Sequence, residues 1–473
     1  MPSADSSKFS LSVSGISGKV TPLAFNLAEG IYSDDLLTVS FQAPSSPPDS
    51  LIGKDVSFSF EYEGKKEFFN GIAINCSKEQ SEGGTAVATL QAKTLRHKLD
   101  KEKKRTVYCK TDVEEIAQSI LSKAGISASK ISLSKYETDF KVQYDESDLA
   151  FLQRLFREHS DEQKSIIEFV QHSGGQSELI ISDSGNFPAS GSSFVKSRLE
   201  ATEAGNVFYG SSHAPLRPGV AVDAFGETFI VCAAAHAGNQ EAAFGVNGKA
   251  HGYTCQIVAF SKQKLSSFVH QVEKPQVPGV IVAKIEGFKD APAHIDTQGR
   301  YIVRMPFDEE SENMDSSTPV QLAQNFAGEG YGIHFPLRKD TPVLIAFEDG
   351  DIDKPVAMGA LPRGLHAGPA SRDKAFRNIL RTISGMELVL DDDAKSMSVK
   401  APESISAEAG KELSLKTEKL TLEAKKQSVL KTGNGIKISL DDSAGSLKIE
   451  APSDITIKAG GKLILNGTVI KAN

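Results

Sequence analysis

The chain has 473 residues, of which 39% are hydrophobic and 24% charged, and its net charge is −8. That acidic balance argues against nucleic acid or an anionic membrane surface as the main partner. No run of 18 apolar residues offers a membrane-spanning helix, and the four cysteines, Cys76, Cys109, Cys232 and Cys255, lack metal-site or disulfide-framework spacing and read as reduced thiols. The opening MPSADSSKFSLSVSG has no basic region followed by an apolar run. The expectation is folding in the cytoplasm without a cleaved signal, with any export left to other machinery.

Residues 1–272 read as mixed α and β. Stretches 56–62, 68–74 and 86–91 alternate apolar and polar residues between Gly or charged turns, the pattern of antiparallel strands. Thr111-Asp112-Val113-Glu114 has the form of a capping box, with Thr111 expected as N-cap. Val113, Ile116, Ile120 and Leu121 then follow at helical spacing, and Gly125 stands where the helix must stop. A second helix is expected from Asp148 to His159, with Ser147 as N-cap and Leu149, Leu152, Leu155 and Phe156 on one face.

Residues 273–279, EKPQVPG, form a semi-rigid linker because two prolines restrict it. Five short strands are expected beyond it, at 280–286, 301–305, 320–323, 332–335 and 343–347. Strands of that length over some eighty residues suggest a small closed barrel, most simply an OB-fold, in a domain spanning 273–370.

The last domain, 371–473, carries an internal repeat. Residues 385–415 align with 435–465 without a gap, matching Asp391 to Asp441, Pro402 to Pro452 and Gly410 to Gly460. Apolar residues alternate with Lys, Glu, Ser and Thr, so one face of each strand demands burial. No helix in this stretch offers a surface to cover it, and a lone hairpin of this kind is marginal in water. A solenoid coil needs roughly twenty residues or more, too many for steps of this size. Three chains winding together supply the missing segments. The expected trimer core is Leu388, Leu390, Met397, Val399, Ile405, Leu413, Leu415, Ile438, Leu440, Leu447, Ile449, Ile455, Leu463 and Leu465. Each contributes roughly 1.5–3 kcal/mol if fully buried. A disordered Lys/Glu-rich tail is the competing reading, and the alternation and the repeat weigh against it.

No catalytic, cofactor-binding or metal-binding residue is expected. Asp391-Asp392-Asp393 and Asp441-Asp442 could be imagined as acid and base of a β-helical polysaccharide-degrading enzyme, which needs two carboxylates roughly 5–10 Å apart across a cleft. Consecutive aspartates at a strand end more often cap a turn. The ten histidines show no HxH or HExxH, and His97, His159 and His334 read as packed or surface residues. The glycines of 327–332 lack the Lys-Ser/Thr of a phosphate loop.

Several motifs carry a family resemblance. Gln143-Tyr144-Asp145-Glu146-Ser147-Asp148, followed by Phe151, Arg154 and Leu155, resembles the signature "QYxESDxxFxxRL" of VgrG-type spikes and related phage hub and spike proteins. Leu51-Ile52-Gly53-Lys54 and Phe69-Asn70-Gly71-Ile72 resemble strand motifs upstream of it. Ala327-Gly328-Glu329-Gly330-Tyr331-Gly332 and Phe347-Glu348-Asp349-Gly350-Asp351-Ile352-Asp353-Lys354-Pro355 resemble the family's barrel elements. Arg377-Asn378-Ile379 and Ser384–Leu388 resemble the start of its needle, while Lys339–Val343 departs from the family pattern.

The resemblance implies a mainly β chain with minor α: an N-terminal hub of paired β-barrel domains with inserted helices, an OB-fold collar and a C-terminal intertwined trimeric β-helix needle. The hub signature would be Gln143, Tyr144, Glu146, Ser147, Asp148, Phe151 and Arg154. The implied function is a non-catalytic, membrane-puncturing homotrimer of a contractile injection machine, such as type VI secretion, a phage tail or an extracellular particle. The implied partners are a hexameric tube protein, baseplate components, effector cargo and a PAAR-like tip cap seated on Val469 and Ile470. The stretch 361–377 is too short for an inserted lysozyme domain. A trimeric tail fibre or adhesin is the remaining alternative, though such a protein would lack the hub block.

Overall fold

The computed structural model describes residues 8–17, 20, 22–42, 48–62, 65–80, 86–126, 130–160, 165–174, 176–183, 187–191, 193–239, 252–265, 274–287, 293–308, 319–363, 369 and 371–471. Residue 273 of the expected linker, residues 364–368 and 370, and the first seven residues lie outside that set. The chain divides into two compact units, Met1–Gly368 and Pro369–Asn473.

The first unit is built on one 12-stranded sheet. Its first six strands run in the order Lys8–Val13, Asp55–Tyr62, Lys65–Glu79, Val87–Lys93, Leu36–Gln42 and Pro22–Gly30. The long strand Glu227–Asn239 then joins them to a second set, Tyr253–Ser261, Gly205–Ser212 and Lys196–Thr202. A bulge between Val231 and Ala233 divides the duties of that strand. Its first residues pair with Ala221–Ala224, and Ala233–Asn239 pair with the Pro22–Gly30 strand. One long strand thus joins two sets of antiparallel strands, within the hub of mainly β structure with inserted helices that the resemblance implies.

Alternation explains which face goes inside. In Leu36–Gln42, Leu37, Val39 and Phe41 are fully buried while Ser40 meets Thr89 on the other face. With no tryptophan in the chain, phenylalanine fills the core. Phe25 contacts Phe9, Phe58 and Phe60 with ring centroids 5.0, 4.8 and 5.1 Å away. Gly238 sits so close that a Cβ would lie 2.3 Å from Phe25, so a glycine is required there.

The same alternation makes a second core on the opposite face. Val222, Phe229 and Val231 point into the first core, whereas Ala221, Ile230 and Cys232 pack against an insertion carrying two helices, α1 (Val113–Lys123) and α2 (Asp148–Glu158). Both helices lie where the sequence placed them. Ser147 caps α2, its Oγ accepting from Ala150 N at 3.2 Å. Gly125 ends α1 at φ +66°. The N-cap of α1 differs from expectation: Thr111 belongs to the preceding strand and donates to Cys109 O, and Asp112 caps the helix. Asp112 accepts from Glu114 N at 2.9 Å and, through its other oxygen, from Tyr136 N at 3.1 Å, so a carboxylate satisfies two backbone donors where a hydroxyl could reach one.

The barrel that follows has strands Ile281–Ile285, Tyr301–Arg304, Pro319–Val320, Pro342–Phe347 and Pro355–Ala360. Taken first to fifth in chain order, they pair as 3-2-1-4-5. A parallel bridge from Leu322 to Ala357 closes the ring, with Ala323 N donating to Ala357 O at 2.7 Å. That closure is the OB topology. Tyr301, Val303, Val343 and Ile345 fill it. The strand expected at 332–335 is absent from the ring; Tyr331–Gly332 pairs only with Ala327–Gly328 in a side hairpin. Pro355–Ala360 replaces it, a strand masked in the sequence by its leading proline and by Gly359 at φ +154°.

The second unit contains two three-stranded antiparallel sheets, Arg377–Arg381/Glu387–Asp391/Ser396–Lys400 and Gln427–Lys431/Lys437–Asp441/Ser446–Glu450. They superpose in detail at the 50-residue offset. Gly385 N donates to Thr382 O, and Gly435 N to Thr432 O. Asp391 Oδ1 accepts from Ala394 N at 2.9 Å, and Asp441 Oδ1 from Ala444 N at 2.9 Å. The aspartates therefore cap turns, as their position at strand ends suggested.

Asp112→Ala is expected to destabilise the first unit by about 1–2 kcal/mol, and Thr111→Val by a few tenths of that; urea unfolding followed by circular dichroism measures both.

Candidate functional site

The signature block folds into a strand and a helix that meet at one charged centre. Glu137–Ser147 pairs with Lys103–Asp112, and a register shift between Lys104 and Arg105 accommodates Asp145 at φ +51°. Arg105 then clasps Asp145 at 2.9 and 3.0 Å and lies over the Tyr144 ring. After the turn, Ser147 caps α2 and donates to Asp100 at 2.7 Å, while Gln143 Nε2 donates to Asp148 Oδ1 at 3.0 Å. Phe151 is fully buried and stacks on Tyr108, their ring planes 12° apart.

Arg154 organises the rest. It is buried, and its guanidinium takes Glu146 in a two-point grip at 2.9 Å each, Val142 O at 2.8 Å and Glu158 at 3.1 Å. The remaining contact is Asp353, 3.4 Å away, from the barrel's Gly350-Asp351-Ile352-Asp353 turn. Asp353 also accepts from Lys141 at 3.0 Å and from the backbone N–H of Val142 at 3.0 Å. Lys274 adds a second strap, 3.1 Å from Asp351 and 3.6 Å from Glu158. Two sequence signatures some 200 residues apart thus interlock at one ion-pair network. Phe140 and Val142 extend the joint into the barrel core beside Val277 and Ile285.

This network is desolvated, and its charges are matched and hydrogen-bonded, the condition under which buried ions are tolerated. Burial works against ionisation of Glu158, but Lys141, Arg154 and Lys274 hold its pKa below the usual 4.5. A depressed carboxylate contributes stability above its unfolded pKa and loses it as pH falls through the lower folded value. The joint is therefore complete at neutral pH and weakens below about pH 4.5. Gln143, Ser147, Asp148, Phe151 and Arg154 form one buried patch, with Tyr144 and Glu146 half-buried at its rim. Asp353 was read only as part of the barrel motif, and Lys141, Glu158 and Lys274 were given no role from the sequence. The Arg154/Glu158 spacing of four is visible there, but Asp353 becomes a partner only once the chain has folded.

Eight of the residues expected to form a core in the second unit meet in cross-strand pairs. Leu388 pairs with Val399, Leu390 with Met397, Ile438 with Ile449 and Leu440 with Leu447. All but Leu388 are exposed in the single chain. Ile405, Leu413, Leu415, Ile455, Leu463 and Leu465 lie outside the paired strands and are also exposed, Leu415 at 72%. Val469 and Ile470 near the end are 70% and 61% exposed. Residues 402–424 make no backbone–backbone hydrogen bond among the described residues.

Comparisons with known proteins follow the same division. Residues 33–222 match the phage tail baseplate hub (GPD) family, and residues 292–361 match the type VI secretion system/phage-baseplate injector OB domain. A 130-residue stretch is 33% identical to type VI secretion system spike protein VgrG3 of Vibrio cholerae, covering 26% of this chain and 13% of that protein. A 156-residue stretch is 27% identical to spike protein VgrG1c of Pseudomonas aeruginosa, covering 32% of this chain and 21% of the relative. The matched stretches thus span under a quarter of either relative's length. Among solved structures, the E. coli c3393 protein, a type VI component similar to phage T4 gp27 and gp5, aligns with TM-score 0.56 at 17% identity over 74% of this chain and 99% of its own. The half-lidded Francisella PdpA-VgrG complex aligns with TM-score 0.54 at 10% identity over 94% of this chain and 88% of the matched one. At such identities these two likenesses report the fold.

Asp353→Ala leaves Arg154 and Lys141 short of a buried carboxylate and is expected to cost about 3–5 kcal/mol. Hydrogen exchange should report it as faster exchange of the Val142 amide, whose acceptor is lost. Asp353 belongs to the OB module and Arg154 to the hub module, so the joint connects the two matched families. With a baseplate-hub module over residues 33–222, an injector OB module over 292–361 and stretches similar to VgrG proteins, the chain resembles the VgrG-type spike proteins of contractile injection systems.

Proposed function

We propose that the chain works as a homotrimeric, membrane-puncturing spike at the front of a contractile injection machine. The observation that carries this reading is the state of the second unit in one chain: apolar sheet faces left in solvent beside residues 402–424, which make no backbone–backbone hydrogen bond among the described residues. Exposed apolar surface on this scale marks an interface, and unpaired strand backbone accepts further strands. Two sister chains satisfy both demands at once, closing the tail into an intertwined β-helix with the exposed leucines, isoleucines and valines on its axis.

In this reading residues 1–272 form the hub that mates with a hexameric tube protein and the baseplate. Residues 273–370 form the collar, and 371–473 the needle. The charged joint around Arg154 and Asp353 carries load from hub to collar. The needle concentrates it, and Val469 and Ile470 seat a PAAR-like tip cap. The complex between a VgrG protein and PdpA among the structural neighbours supports a role in carrying cargo. The work is mechanical rather than catalytic, since the matched modules are a hub and an OB domain. The protein is assembled in the cytoplasm and leaves with the machine; the target membrane is pierced and not stably bound. No helix of the described residues is long and apolar enough to cross a membrane. Co-purification with a hexameric tube protein separates this reading from a tail fibre or adhesin.

Ile438→Asp, Leu440→Asp and Ile449→Asp combined should abolish trimers in light scattering; a variant that remains trimeric with unchanged thermal stability would sink the needle assignment. Truncation after residue 368 should leave a folded first unit that no longer delivers cargo, and retained delivery in a killing assay would contradict the proposal.

A further inference from the structure

The first unit holds a second buried charged centre that the junction does not use. Glu29 lies on the strand Pro22–Gly30, Asp35 on the turn after it, and His172 on the strand Ile167–Ser173 of the helical insertion. All three are buried, and one ligating atom from each lies within 4.8 Å of the others. Asp35 Oδ1 accepts from Gly30 N at 3.2 Å, but Asp35 Oδ2 and His172 Nε2 have no hydrogen-bond partner among the described residues. His172 Nε2 stands 3.8 Å from Glu29 Oε1 and 3.8 Å from Asp35 Oδ2. That is too long for a direct hydrogen bond, and an unmade bond at a buried polar atom is unfavourable. It suits three donors gathered about one ion at roughly 2.0–2.2 Å from each.

We propose that Glu29, Asp35 and His172 bind a divalent transition-metal ion of the zinc class. Mixed imidazole and carboxylate donors suit such an ion. Charge supports it as well. Among the described residues around this centre, Arg217 pairs with Glu29 and Glu67, Arg96 with Glu168, and His236 with Glu29 at 3.0 Å, whereas Asp35 has His172 alone as a cationic neighbour within 4 Å. A cleft of about 430 Å³ whose walls include Glu67, His172 and Arg217 lies beside the cluster. His172 Nδ1 lies 2.7 Å from Ser177 Oγ, whose hydroxyl donates to Asn70 O at 3.0 Å. With Ser177 Oγ as acceptor, Nδ1 carries the proton and the Nε2 lone pair faces the carboxylates, the tautomer an ion would select. The Asn70 N–H, 3.2 Å from the same Nδ1, favours the opposite tautomer, in which Nε2 carries a proton and no metal binds. The ion would pin the first barrel strands to the helical insertion, a tie invisible in the sequence because its ligands are 29, 35 and 172.

The test is calorimetric titration of the full chain, stripped with chelator, using zinc chloride alone. The expected result is one ion per chain and a raised melting temperature. His172→Gln and, separately, Asp35→Asn should each weaken binding by about 100-fold or more, while His294→Gln in the barrel should leave it unchanged. Cobalt(II) added to the unmutated protein should give visible d–d absorption bands of a low-coordinate site, a readout that needs no variant to fold. Absence of zinc uptake and of those bands would overturn the proposal, as would zinc binding undiminished in His172→Gln. Uptake of magnesium or calcium in preference to zinc would overturn the metal class.

Discussion

An alternating strand must hide one of its faces, and the tail of this protein has nothing of its own to hide it against. Leu390, Met397, Ile438, Leu440, Leu447 and Ile449 are aligned by cross-strand pairing and left in solvent in one chain. The pairing is sound, the turns are capped and the register is fixed, yet the burial that usually stabilises such strands is missing. Everything proposed about assembly and puncture follows from that deficit.

The first unit is the opposite case. Its sheet folds over a phenylalanine-rich core, its second face is covered by α1 and α2, and its barrel closes through Ala323 and Ala357. What joins hub to barrel is a matched set of ions rather than apolar surface alone. Such a joint contributes geometry more than net stability, because desolvation offsets much of the attraction. Asp353 can satisfy Arg154, Lys141 and the Val142 amide only in one orientation of the barrel. Directional bonds of that kind suit a part that has to hold its alignment under load.

Much of this was legible in the sequence because period and punctuation are local. Ser147 before Leu149 and Leu152 announced α2, Gly125 announced the end of α1, and the match of 385–415 to 435–465 announced two copies of one unit. The strands extend that repeat back to Arg377 and Gln427, where Leu380/Leu430 and Thr382/Thr432 continue the offset. The sequence failed where two residues competed for one role or where proline and glycine obscured a strand. Asp112 displaced Thr111 as cap because it alone serves Tyr136 as well, a contact made across 24 residues. Pro355–Ala360 went unseen for want of bulky alternation. The partners of the signature block were out of reach for a different reason. Nothing near Arg154 in the chain points to Asp353, and only the closed barrel delivers it.

The tail's two sheets share turn type, capping aspartate and cross-strand ladder at a constant spacing, so each is a self-consistent block with the same junctions at both ends. A shaft made of such blocks can lengthen or shorten by whole units without redesign of any neighbour. In the proposed needle, reach would then change in fixed increments, like sections of a telescoping pole.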